Sequence, residues 1–275
     1  MKKQLFFITL LLLTAFACAQ KKPIKVACVG NSITYGYGIE NREQNSYPSV
    51  LQRQLGKGYE VENFGHSGAT LLSKGHKPYI QQEEYKKALA FAADIVVIHL
   101  GINDTDPRNW PNYRDDFVKD YLSLIASFKK ANPKARILIA RMTPLAHRHK
   151  RFESGTRDWH AEIQQAIERI AKQAGVQLID FHEPLYHFPQ MLPDAVHPNV
   201  QGAAILAQVV YSAITGDYGG LHLPAIYSDN MVLQHGIPLT LGGIANTGTK
   251  ITVKIGKQQL TTTADTNGKW QVTLS

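Results

Sequence analysis

Short apolar runs alternate with amphipathic stretches from about residue 23 to residue 215. Each run is rich in Val, Ile or Leu and is closed by glycine or polar residues, which is typical of strands buried on both faces of a sheet. Strands that alternate with helices favour a parallel sheet covered on both sides. We therefore predict an open α/β sandwich around a five-stranded parallel sheet. Its strands are Ile24–Val29, Tyr59–Phe64, Asp94–Leu100, Arg136–Ala140 and Val176–Asp180.

Three amphipathic helices are predicted in the second half of this region. Apolar side chains recur every three or four residues over 117–128 and again over 159–174, so each stretch presents one apolar face. Gly175 is a stop signal for the second helix. A last helix is expected after Asn199, because asparagine is a good N-cap.

The pattern changes after Gly216, and the remaining residues show no helical period. Strand-like runs are expected at 251–255, 258–263 and 270–274, with a turn signal at Asn267-Gly268 before the last run. The last run reaches the end of the sequence without a closing helix, cap or polar tail. We therefore predict an α/β domain over 22–216, a glycine hinge, and an incomplete (truncated) all-β domain over 221–275.

Residues 1–19 have the composition of a signal peptide. Two lysines precede a short apolar stretch that cannot span a bilayer. Two processing routes remain open. Ala17-Cys18-Ala19 fits a cleavage site for ordinary secretion, whereas residues 15–18 resemble a loose lipobox that would leave a lipid anchor on Cys18. Both routes predict an exported protein, either periplasmic or extracellular, or a lipoprotein of the bacterial envelope, without an integral membrane span.

Charge and cysteine content exclude two classes of protein. The net charge is +8, but apart from a short cluster at 147–151 the basic residues are scattered, whereas nucleic-acid binding needs a concentrated basic face. After removal of the signal peptide only Cys28 clearly remains, inside an apolar run, so a disulfide framework is excluded. Cys28 is expected to be a small buried strand residue.

Polar and glycine-rich segments follow the predicted strands. In an open parallel sheet the carboxyl ends of the strands lie along one edge, where ligands bind. We therefore expect these segments to converge on one crevice although they are far apart in the chain. The segments are 30–32, 63–70, 101–104 and 194–199.

These segments contain the groups that acyl transfer requires. A serine hydroxyl is a weak nucleophile until a base takes its proton, and Ser32 with His197 supplies that pair. Asp194 is the candidate that orients the imidazole. The backbone N–H groups of Ser32 and Gly68 and the side-chain amide of Asn103 are candidate donors to an oxyanion. Each motif alone is typical of a turn or a helix start, so the prediction depends on their joint occurrence.

The same blocks resemble the SGNH (GDSL) hydrolase family over about residues 25–215. The resemblance implies a flavodoxin-like three-layer sandwich, the catalytic and oxyanion-hole roles just described, and neither a cofactor nor a metal. The usual Gly-Asp-Ser of the family is Gly-Asn-Ser in this chain. The departure at Asn31 weakens assignment to the lipase-like branch but not the mechanism.

A second resemblance concerns the C-terminal part. Residues 223–234 are similar to the opening of bacterial sialate O-acetylesterases, and 264–270 to a later stretch of the same β region. The likeness covers only about the last 55 residues and includes no catalytic residue of that module. It implies that the protein removes acetyl esters from sialic acid or related sugars, with an O-acetylated sugar as its substrate.

Several side chains are candidates for substrate contacts. Trp110 is expected either to stack on a sugar ring or to anchor a loop. Arg148, Arg151 and Arg157 are expected either to meet a sugar carboxylate or to be solvated loop charges, and His147 and His149 either to line the pocket or to be solvated.

Two alternatives to a sialate O-acetylesterase remain. The first is another SGNH esterase, either a lysophospholipase/thioesterase or an acetyl-xylan-type enzyme. The polar loops favour a polar substrate over a lipid. The second is a non-catalytic sugar-binding module, although a binding protein has no physical need for all of Ser32, Asp194 and His197.

Overall fold

The computed structural model describes residues 22–150, 156–234 and 236–274. A five-stranded parallel sheet with strand order β2-β1-β3-β4-β5 lies at its centre, which confirms the predicted α/β sandwich. In-register pairing joins β1 to β2 on one side and to β3 on the other. The strands are β1 Ile24–Gly30, β2 Tyr59–Gly65, β3 Ile95–His99, β4 Arg136–Arg141 and β5 Gln177–Asp180.

Burial follows the position of each strand in the sheet. All residues of β3 are buried, and so are the last five residues of β1, including Cys28. The edge strands β2 and β5 are partly exposed. The expectation of strands buried on both faces therefore holds for the centre of the sheet but not for its edges, where no neighbouring strand covers one side.

Helices cover both faces of the sheet. Helix α3 packs against α9, while α4 packs against α6 and α6 against α7. Asn199 caps α9 as predicted, because its Oδ1 accepts a hydrogen bond from the N–H of Gly202 at 3.0 Å. The helices are α1 Ser32–Tyr35, α2 Arg42–Asn45, α3 Tyr47–Leu55, α4 Glu83–Phe91, α5 Trp110–Tyr113, α6 Phe117–Ala131, α7 Thr156–Ala174, α8 Glu183–Tyr186 and α9 Val200–Thr215.

The C-terminal segment forms two antiparallel two-stranded sheets. Strand β6 (Leu239–Ile244) pairs with β9 (Lys269–Leu274), and β7 (Lys250–Ile255) pairs with β8 (Gln258–Thr263). The sequence pattern did not reveal β6, since its two glycines weaken any strand signal. The turn at Asn267-Gly268 does connect β8 to β9, but these strands belong to different sheets and form no hairpin.

The two parts of the chain have separate hydrophobic cores. Leu241, Trp270 and Val272 belong to a cluster confined to the β segment. Polar contacts join the parts: Gln177 donates to Asn267 Oδ1 at 2.9 Å, and the Tyr218 hydroxyl donates to a backbone carbonyl of the β segment. The expected glycine hinge is also hydrogen-bonded to the β segment, since the N–H of Gly220 donates to the Asn246 side chain at 3.0 Å.

Some expectations fall on residues outside the described ranges. These are the signal peptide at 1–19, the possible anchor at Cys18, and Arg151. Within the described ranges, no helix combines the length and the apolar character needed to cross a membrane.

The separate cores lead to a prediction about domain independence. A chain shortened to end at Asp217, just after α9, should fold cooperatively because it keeps the whole core of the α/β part. Its midpoint temperature should fall by about 2–4 °C for each kcal/mol of lost contacts with the β segment. Circular dichroism and thermal melting of the shortened and full chains check this. An insoluble product, or a broad non-cooperative melt, would show that the β segment belongs to the α/β core.

Candidate active site

Ser32, His197 and Asp194 form one hydrogen-bonded series. The Oγ of Ser32 lies 2.8 Å from Nε2 of His197, although the two residues are 165 positions apart. Nδ1 of His197 lies 2.5 Å from Oδ2 of Asp194. The structure therefore brings together the three side chains predicted from the sequence, in the order expected of a nucleophile, a base and an orienting carboxylate.

The turn from β1 into α1 fixes the position of Ser32. Asn31 caps the short helix, because its Oδ1 accepts the N–H of Ile33 at 2.9 Å. A side chain at Gly30 would come within 2.1 Å of the Thr34 hydroxyl, so the tight turn requires glycine there. Asn31 is fully buried. A neutral amide provides this cap without burying the charge that aspartate would bring.

The loop before α9 holds the base in place. Oδ1 of Asp194 accepts the backbone N–H groups of Val196 and His197 at 3.0 and 2.7 Å. Burial alone would raise the pKa of Asp194, but the hydrogen bonds from His197 and Val196 hold it below its ordinary value. Ala195 has a φ of 75°, a left-handed conformation that is costly for alanine. The carboxylate thus stays charged beside the imidazole at neutral pH.

The three candidate oxyanion donors line one pocket. Gly68 has a φ of 81°, which suits glycine, and it lines the same pocket as Ser32 and Asn103. The backbone N–H groups of Ser32 and Gly68 make no hydrogen bond within the described part of the chain. Asn103 donates one amide hydrogen to the carbonyl of Ala69 at 3.0 Å, which leaves its second hydrogen for a ligand.

Buried polar side chains tie the two donor loops together, and the sequence analysis missed this role. Asp104 is fully buried, and its two oxygens accept the N–H groups of Leu71 and Leu72 at 2.9 and 2.8 Å. Burial raises the pKa of Asp104 to about 7, although both backbone donors favour the charged form. Asn109 adds a second link, because its Oδ1 accepts the N–H of His76 at 2.9 Å while its amide donates to the carbonyl of Asn103 at 2.8 Å.

The pocket beside Ser32 has a volume of about 270 Å³. Apolar side chains of Ile102, Leu145 and Val196 contribute to its wall. Tyr37 also lines it, with its ring centroid 4.7 Å from that of His197. Ile102 and Val196 lie inside two of the segments that were predicted to converge on the crevice. Tyr37 and Leu145 were not predicted, because a single residue in a loop carries no pattern, although Tyr37 follows the Gly-Asn-Ser motif closely in sequence.

Of the two expectations for Trp110, the structure supports the loop anchor and not the sugar contact. Its side chain is only 4% exposed, packs edge-on against Phe117, and donates its indole N–H to Glu162 at 2.7 Å. A buried, hydrogen-bonded indole offers no face to a sugar ring. Trp110 is therefore a structural anchor between α5 and α7.

Arg148 does not lie where it was expected to meet a sugar carboxylate, which was one of its two predicted roles. Its guanidinium donates to the backbone carbonyls of Pro189 and Leu192, and the side chain does not line the pocket beside Ser32. His149, from the same loop, lines that pocket instead. Arg151 lies outside the described residues.

The remaining histidines serve other contacts. His66 pairs with Glu84 at 2.8 Å, and burial lowers the pKa of His99 to about 3, so its ring stays neutral. Within residues 22–150, 156–234 and 236–274, no group of three or more His, Cys, Asp or Glu side chains is placed to hold a metal ion.

Comparisons with known proteins identify the family and the fold. The model of the GDSL-like Lipase/Acylhydrolase family matches residues 28–205. The acetylxylan esterase of Xylanibacter ruminicola is 36% identical over 218 residues, which cover 74% of this chain and 45% of that protein. The chain therefore spans about half the length of the curated relative that it matches.

Solved structures share the fold. An acetyl xylan esterase, AlAXEase, superimposes with a TM-score of 0.53 at 20% identity, covering 70% of this chain and 100% of the other. A carbohydrate esterase family 3 protein from Talaromyces cellulolyticus gives a TM-score of 0.52 at 19% identity, covering 70% and 96% of the two chains. At these identities the likeness shows the fold alone.

The buried link at Asp104 yields a prediction. Asp104→Asn replaces one of the two oxygen acceptors with an NH2 group, which cannot accept a hydrogen bond from the backbone N–H that faces it. The loop that carries Gly68 should therefore shift. Loss of one oxyanion donor costs about 10²–10³ in turnover, and an indirect shift should lower kcat for p-nitrophenyl acetate by about tenfold with little change in KM.

Asp120→Asn is the matched control, because Asp120 also accepts a backbone N–H of this loop, from Ser73 at 2.7 Å, but farther from the donors. Its kcat should stay within about twofold of the unmodified protein. Equal kcat values for the two variants would contradict a specific role of Asp104.

Proposed function

The chain belongs to the GDSL-like lipase/acylhydrolase family, and from this premise we propose that it is a serine esterase that removes O-acetyl groups from carbohydrate. The observation that carries the proposal is the Asp194–His197–Ser32 hydrogen-bonded series at the wall of a small pocket. Such a series turns a weak hydroxyl nucleophile into a reactive one.

The proposed reaction has two steps. His197 Nε2 takes the proton of Ser32 as Oγ bonds to the acetyl carbonyl carbon, and the carbonyl oxygen becomes an oxyanion held by the three donors. The sugar oxygen then leaves with the proton from His197, which forms acetyl-Ser32. Water attacks this ester with the same base, and acetate and free Ser32 result. Asp194 stabilises the imidazolium in both steps.

The size of the pocket supports a short acyl group. Its volume of about 270 Å³ lies below the range of about 300–1,000 Å³ that is typical of sites for drug-sized ligands. Ile102, Leu145 and Val196 provide a limited apolar wall, enough to contact a methyl group. A lysophospholipase or thioesterase would need a much longer apolar channel. A non-catalytic sugar-binding module would have no use for the hydrogen-bonded series.

Two carbohydrate substrates have separate support. The relative that carries the name acetylxylan esterase supports an acetylated xylan-type polysaccharide as the first candidate. The resemblance of residues 223–234 and 264–270 to sialate O-acetylesterases supports O-acetylated sialic acid as the second. We propose that the protein acts after export, guided by the signal-like residues 1–19, because acetylated polysaccharides do not cross membranes.

The size of the pocket predicts a steep dependence on acyl length. Across p-nitrophenyl acetate, butyrate and octanoate, kcat/KM should fall by at least about 100-fold, since each methylene that does not fit costs about 1–3 kcal/mol. Ser32→Ala, with unchanged circular dichroism, should hydrolyse none of them. Turnover of octanoyl ester equal to that of acetate would contradict an acetyl-sized site.

The substrate is tested by acetate release from acetylated xylan and from O-acetylated sialic acid in parallel. Faster release from xylan would support the first candidate, and faster release from sialic acid the second. Hydrolysis of p-nitrophenyl acetate without release from either glycan would contradict a carbohydrate esterase and leave a different ester as substrate.

A further inference from the structure

A second cavity of about 500 Å³ lies next to the catalytic pocket. Its walls come from the segment after β4, from α7, and from the segment after β5. Leu145 lines both the catalytic pocket and this cavity, so the two spaces share a wall residue.

The segment that separates the two spaces is held on both sides. On one side, the side-chain amide of Gln164 on α7 bonds to both the N–H and the carbonyl of Met142 at 2.7 and 3.2 Å. On the other side, the N–H of Ala146 donates to the carbonyl of Ala195 at 2.9 Å, inside the loop that carries Asp194 and His197. The second cavity is therefore fixed relative to the reacting atoms.

The polar part of the cavity wall includes two uncharged imidazoles, those of His160 and His182, together with His147 and the guanidinium of Arg157. Nε2 of His160 lies 3.0 Å from the carbonyl of Thr143, and since a carbonyl only accepts, that nitrogen carries the hydrogen. Burial lowers the pKa of His160 to about 4, so its ring is neutral and Nδ1 is an acceptor. Burial and the charge of Arg141 also lower the pKa of His182.

An aromatic face completes the cavity. The ring of Tyr186 stacks on that of His182 with centroids 5.1 Å apart and an angle of 25°. Tyr186 is 56% exposed, so a large part of its surface is open to a ligand. No Asp or Glu is among the described residues that line the cavity.

These features match a sugar residue. A pyranose has apolar C–H faces that pack on an aromatic ring and hydroxyl groups that both donate and accept hydrogen bonds. We propose that the second cavity is a binding subsite for the sugar unit next to the acetylated one, so that the protein acts on a glycan chain and not on a single sugar. This inference rests on the proposed carbohydrate esterase activity.

The test measures the kinetics of a long and a short substrate in variants of Tyr186. Tyr186→Ala should raise KM for an acetylated xylo-oligosaccharide by about tenfold, while kcat/KM for p-nitrophenyl acetate stays within twofold. Tyr186→Phe keeps the ring and should behave like the unmodified protein. Phe188→Ala is the matched control, because Phe188 is 43% exposed nearby but does not line the cavity. Equal KM values in the unmodified protein and Tyr186→Ala would overturn the subsite.

A binding measurement separates this inference from the proposed activity. Isothermal titration of the Ser32→Ala protein with unacetylated xylo-oligosaccharide should show binding that weakens at least fivefold when Tyr186→Ala is added. No detectable binding, or equal binding with and without the Tyr186 ring, would overturn the subsite. Failure of the unmodified protein to release acetate from any glycan would instead overturn the proposed activity.

Discussion

The parallel pairing of β1 with β2 and β3 determines where every proposed catalytic group lies. Because these strands run in the same direction and in register, the loops that follow them start at one edge of the sheet. Ser32, Gly68 and Asn103 follow β1, β2 and β3 in turn. They are therefore close to one another although they are far apart in the sequence. His197 joins them from the start of α9, whose cap at Asn199 fixes the loop before it.

Buried polar links convert this placement into a fixed geometry. Asp104 and Asn109 connect the loops that carry Gly68 and Asn103, and Ala146 connects the segment after β4 to the loop of Asp194. The burial of these links acts against their charged forms. Asp104 is fully buried, and burial raises its pKa to about 7.

The sequence predicted the sheet, the long helices and the three aligned side chains because their signals are local. Buried strands are apolar runs, Asn199 is a recognisable cap, and the motifs around Ser32 and His197 are contiguous. The whole pocket wall was not predictable in this way, since Leu145 reaches the pocket from a loop without a motif. For Trp110 the sequence left a sugar contact and a loop anchor open, and only the packing of its indole against Phe117 and Glu162 decides between them.

The most direct test of a Ser32–His197 nucleophile pair is covalent labelling with a fluorophosphonate, followed by mass spectrometry of the peptides. The 2.8 Å contact between Oγ and Nε2 predicts modification at Ser32. In His197→Ala, whose base is missing, the labelling rate should fall by at least about 100-fold while the fold is retained. Labelling at another serine, or equally fast labelling in His197→Ala, would contradict the assignment of nucleophile and base.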